Sequence, residues 1–117
     1  GTSSSAVAVN DRGQVVGTSR TLTGQRGFIW EGGAMTDLGT LGGSVRTFAV
    51  NDRGQVVGTS RTLSLEFHGF IWEGGVITDL GTLGGTISQA FAVNDRGQVV
   101  GIATTTSGEG RAVIWNP

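Results

Sequence analysis

Cysteine, lysine and tyrosine are absent from these 117 residues, and proline occurs once. Without cysteine there is no disulfide, no thiolate nucleophile and no cysteine-ligated metal. Without lysine every basic residue is an arginine, and eight of them against nine acids leave a net charge of −1. That balance offers no basic stripe to a phosphate backbone, so nucleic acid is not an expected partner. No apolar run approaches the roughly 18 residues of a membrane-crossing helix, so no membrane partner is expected either. A signal-peptide-like opening is lacking, as it would be from a mature chain or a fragment. Helical periodicity is lacking too, since no segment repeats its apolar residues every ~3.6 positions.

What is present is repetition. Ala-Val-Asn-Asp-Arg-Gly-Gln-Val-Val-Gly occurs unchanged at 8–17, 49–58 and 92–101. GFIWEGG at 27–33 returns at 69–75, and TDLGTLGG at 36–43 returns at 78–85. The chain is a little under three copies of one module of about 42 residues, and a period of that size marks solenoids, propellers or arrays. Copies this alike suit packing one unit on the next and leave little room for one specialised catalytic centre.

The middle copy predicts the elements. Phe48–Asn51 is a short apolar strand, and Asn51-Asp52-Arg53-Gly54 carries the residues of a type I turn followed by a glycine bulge, with Asp52 holding the turn. Gln55–Arg61 is the returning β-branched strand, His68–Glu73 the third and Val76–Thr82 the fourth, with Gly74-Gly75 as a tight hairpin turn. Gly84-Gly85 and the polar residues after it read as a linker. One-residue insertions in the second loop and in this linker are expected to fall outside strands. Continuous apolar runs such as Ala6–Val9 and Phe28–Trp30 describe strands covered on both faces. Gly17, Gly58 and Gly101, inside strands, suggest close approach of facing sheets. The expected fold is all-β: four-stranded antiparallel meanders stacked as β-propeller blades, within one repeat domain over 1–117. Blade 1 spans 6–43, blade 2 spans 47–85, and blade 3 spans 90–117 without its outermost strand.

The blocks NDRGQVVG, FIWEGG and TDLGTLGG together resemble the bacterial extracellular HAF repeat family, and they cover nearly the whole chain. The family's His-Ala-Phe triplet stands here as Arg26-Gly27-Phe28, His68-Gly69-Phe70 and Arg111-Ala112-Val113, so no copy has it intact. The resemblance implies propeller-like repeats, a secreted or cell-surface location, and no assigned activity.

Three blades are too few to close a ring, because closed propellers generally have four or more. Two open apolar faces would remain, and such faces mark association sites. The expected partner is the chain itself: a homodimer pairing head to tail into six blades, other rings being limited to multiples of three. Residues 1–5, GTSSS, match only the linker and are too short to supply the missing outer strand.

The candidate ligand-binding residues are repeated ones. Trp30, Trp72 and Trp115 stand at equivalent points near the end of the third strand, with Glu31 and Glu73 beside the first two. They read either as inter-blade packing or as an aromatic platform for sugar rings, which repetition around a ring would strengthen by avidity. Arg12, Arg53 and Arg96 occupy the tip of the first hairpin, solvated or forming a cationic ring at the channel mouth. Asp37 and Asp79 are expected to cap backbone. Asn-Asp-Arg-Gly lacks the alternating oxygen ligands of a calcium loop, so no metal or other cofactor is expected. His68, the one histidine, sits where the other copies carry arginine and reads as a polar surface position. No catalytic residue is assigned. The leading expectation is a non-catalytic extracellular binding or structural module with carbohydrate as candidate ligand; the alternative is a purely architectural or engineered self-assembling scaffold.

Overall fold

The β-branched runs become eleven strands among the described residues, most of them separated by glycine-bearing turns. The turn at 63–66 has no glycine and sets Leu65 at φ 68°; no helix is found among the described residues. In the computed structural model residues 3–22 and 24–117 are described; Gly1 and Thr2 of the linker-like GTSSS, and Thr23 of the second loop, lie outside them. Strands β1 (Ser3–Val9), β2 (Val15–Thr21), β3 (Gly24–Glu31) and β4 (Ala34–Asp37) form a four-stranded antiparallel meander in sequence order. Strands β5 (Gly42–Val50), β6 (Val56–Thr62), β7 (Phe67–Glu73) and β8 (Val76–Asp79) repeat it. The third meander, among the described residues, has β9 (Gly84–Val93), β10 (Val99–Thr105) and β11 (Gly110–Trp115). The protein is all-β and built of repeated meanders.

Three expectations are corrected. First, the Gly-Gly segments are not linkers. Gly42 and Gly84 open the innermost strands, which begin well upstream of the apolar runs. Second, the insertion before the third copy lies inside β9. Four residue steps from Gly84 to Ser88 oppose two in β10, against three opposing two between β5 and β6. The extra residue is absorbed as a wider bulge, and a bulge bends its strand. Beside it Phe67 of β7 pairs in parallel with Ile87 of β9, so the second and third meanders share one seven-stranded sheet, with β8 paired to β7 off its main path. Third, Gly17, Gly58 and Gly101 answer to their own sheet rather than to a facing one. A Cβ on Gly58 would lie 2.1 Å from the carbonyl oxygen of Arg46, on the neighbouring strand. The same clash would occur at Gly17 with Ser5 and at Gly101 with Gln89. Each glycine lies beside a bulge in the inner strand, whose register shifts between Ala6 and Ala8, and between Thr47 and Ala49. The bulge presses a carbonyl over the position, and only a residue without Cβ fits beneath it.

The cores lie between meanders. Val16, Ile29 and Leu38 of the first pack against Val45, Val56, Phe70 and Trp72 of the second. Val57, with Ala49, Ile71 and Leu80, packs against Ala90, Val99, Val93 and Trp115 of the third. Successive strand residues point to opposite faces, so Val56 serves one core and Val57 the other. Both are fully buried, which is why the run is continuously apolar.

Candidate functional site at the module junction

The repeated Asn-Asp-Arg-Gly-Gln loops meet at one end of the stack. In each loop the backbone closes as expected: Gly54 N–H donates to Asn51 C=O at 3.1 Å and Asn51 N–H to Gln55 C=O at 3.0 Å. Gly54 has φ 80°, a left-handed conformation suited to glycine. The side chain that holds the turn is asparagine, however, not aspartate. Asn51 Oδ1 accepts the N–H groups of Arg53 and Gln55 at 3.0 and 2.9 Å, and Asn10 and Asn94 repeat the pattern. Asparagine stands two residues before the arginine N–H, the spacing of an Asx turn, whereas aspartate stands one residue too late.

The aspartates are thereby left to join modules. Asp11 N–H donates to Asp52 Oδ1 at 2.7 Å, and Asp52 N–H to Asp95 Oδ1 at 2.8 Å. The asparagine amides run the same way, Asn10 Nδ2 donating to Asn51 C=O at 2.8 Å and Asn51 Nδ2 to Asn94 C=O at 2.7 Å. Each amide also donates to the glutamine of its own loop. That glutamine in turn donates through Nε2 to the end of the third strand: Gln14 to Glu31, Gln55 to Glu73, and Gln98 to Asn116. The result is a ladder of donors pointing toward the C-terminal module.

The candidate residues fall around this ladder. Glu31 and Glu73 are its outer acceptors. Arg12, Arg53 and Arg96 are exposed at the tips, and Arg12 Nη1 reaches Asp52 C=O at 3.5 Å. The tryptophans share one face of each meander, opposite Val15, Val56 and Val99 in register. Trp72 is 9% exposed in the first core and Trp115 packs on the second, whereas Trp30 is 39% exposed. They are spread one per module and do not converge on a shared pocket. Sequence reasoning passed over Asn10, Asn51, Asn94 and their glutamines. Their signal was invariance in all three copies, unusual for loop residues with no structural duty.

At the outer edge, the position occupied by Arg26, His68 and Arg111 pairs with acids. Arg26 grips Asp37 with Nε at 3.0 Å and Nη2 at 3.1 Å. The Arg26 bond holds the Asp37 carboxyl below its ordinary range; burial opposes it, and the Gly39 N–H adds to it. His68 takes the same register opposite Asp79, with Nδ1 at 2.8 Å, and places Nε2 2.9 Å from Glu66. Burial disfavours the imidazolium, but the bonds to Asp79 and Glu66 outweigh it and raise the His68 pKa. Both ring nitrogens are engaged, so neither is left to act on a substrate. Asp37 and Asp79 also accept the N–H groups of Gly39 and Gly81, both at 2.7 Å.

Between the first and second modules lies a cleft of about 270 Å³, walled by Ser5, Arg20, Gln25, Arg46 and Phe48 among others. Arg46 stacks on Phe48, its guanidinium carbon 5.7 Å from the ring centre. Among the described residues no group of histidine and acidic side chains is disposed to hold a metal ion. No protein-family profile, curated protein or solved structure matches the chain.

Proposed function

We propose that the chain is a non-catalytic repeat scaffold of propeller type, its three meanders acting as blades of a ring that further copies of the chain complete. Six blades from two chains is the working arrangement. The observation that carries the reading is the recurrence of one junction: the same Asn–Asp ladder and the same valine and tryptophan positions join the first module to the second and the second to the third. A unit that bonds to its successor by an identical set of groups is suited to extension and closure. The bacterial extracellular or cell-surface setting rests on the resemblance of the repeated blocks to HAF repeats.

A second reading, carbohydrate binding, is favoured by the cleft. It combines two guanidinium groups, hydroxyls and an aromatic ring, the mixture that recognises an acidic sugar. The tryptophans are poorer candidates, because Trp72 is closed into a core. A glycan array on the purified particle separates the two readings. Binding lost in Arg46→Ala and kept in Trp30→Ala supports a sugar site in the cleft; binding to no glycan leaves the scaffold alone.

A further inference from the structure

We infer that the outward face of the third meander docks on the outward face of the first meander of a second copy, head to tail, through the junction already used twice within the chain. The inference rests on the scaffold reading above and specifies its contact. The ladder has complementary ends. At the C-terminal end the Asp95 N–H donates no hydrogen bond among the described residues, and Asn94 Nδ2 donates only to its own Gln98. At the N-terminal end the Asp11 carboxylate accepts no hydrogen bond among the described residues, and Asn10 C=O accepts only from Gly13. One end therefore offers the two donors, and the other the two acceptors, that each internal junction pairs.

The apolar surfaces match in the same sense. Val100 is 44% exposed on the third meander, where its counterparts Val16 and Val57 are fully buried against the next module. Ile114 is 64% exposed, where Ile29 is buried. On the first meander Val9 is 66% exposed, where Val50 and Val93 pack into the two cores. Trp30 likewise lies open where Trp72 is closed in. A face-to-face pairing of two like ends would set donors against donors, or carboxylate against carboxylate, so the contact is heterologous.

Polarity makes the contact testable by complementation in sedimentation. Ile114→Arg blocks the donor-end face, and Val9→Arg blocks the acceptor-end face; both sites are exposed enough to accept the substitution without unfolding the module. Each variant alone sediments as one chain, and an equimolar mixture forms a two-chain complex through the one intact pair of faces. Either variant self-associating, or the mixture remaining single chains, overturns the inference. A third variant, Asp11→Ala, keeps its own N–H bond to Asp52, and weakens association of the otherwise native pair about a hundredfold, roughly tenfold for the charge-assisted acceptor lost at each of the two contacts. Unchanged association in Asp11→Ala also counts against the contact. A native chain that never associates removes the ring itself, whereas native assemblies indifferent to all three substitutions remove only this junction.

Discussion

The main-chain N–H of Asp11 donates to the carboxylate of Asp52 at 2.7 Å, across 41 residues of chain. The bond recurs between Asp52 and Asp95 at 2.8 Å. Identical aspartates thus carry unequal structural weight, set by position in the series. In the single-chain Ile114→Arg background, Asp52→Ala and Asp95→Ala should each lower the unfolding free energy by about 1.5 kcal/mol, the low end for a hydrogen bond to a charged acceptor because both bonds are exposed. Asp11→Ala should leave it nearly unchanged. Urea midpoints for the three read the difference.

Gly58 carries a steeper cost. A Cβ there would sit 2.1 Å from a backbone carbonyl, which cannot swing aside as a side chain can. Gly58→Ala should destabilise the chain by about 3 kcal/mol or more, at or beyond the usual range for overpacking. An unfolding midpoint close to the native one would mean that the bulge is soft.

Thr47 offers the opposite case. Its hydroxyl is buried in the first junction without a hydrogen-bond partner, and the third module has Ala90 at the equivalent place. Thr47→Val keeps the shape and removes an unsatisfied polar group, so stability should rise by about 1 kcal/mol. A loss of stability would show that the hydroxyl is paired in solution.

His68 sets a pH dependence that its arginine counterpart lacks. Its pKa is raised in the folded chain, so its contribution is complete below the ordinary histidine value of 6.5 and is lost as pH rises through the folded value. The melting temperature should therefore fall as pH rises above about 6.5, the ordinary histidine value. In His68→Arg, where a guanidinium can grip Asp79 as Arg26 grips Asp37, that decline should disappear. Asp37 acts on the acid side: its pKa is lowered, so its contribution is present above its ordinary value of 3.8 and fades as pH falls through the folded one.

Much of this was legible beforehand, for reasons that particular residues make clear. Double-sided burial, expected of the continuous apolar runs, holds where a module lies on each side, as at Val56-Val57, and fails at Ala6–Val9, where Ala6, Val7 and Val9 are exposed. Asn51–Gln55 announced its turn and glycine bulge. Which of two adjacent polar residues would hold that turn was misread: both asparagine and aspartate suit turns, but only asparagine stands two residues before the arginine N–H. Gly58 looked like a contact between sheets because a bulge in the partner strand leaves no local mark. The start of β9 looked like a linker because Gly84 and Ser88 pair through their backbone with β10 and the Thr86 N–H is caught by the Thr104 hydroxyl, and a strand held in that way needs no apolar side chains. The clasp itself lay in three identical decapeptides, whose cross-bonding needs two copies side by side before it can be seen.

Sedimentation equilibrium of the native chain bears most directly on the idea that these modules extend by one repeated junction. The expected particle holds two chains of 12.0 kDa each and dissociates on dilution to one. A single-chain mass persisting to the highest attainable concentration would contradict it.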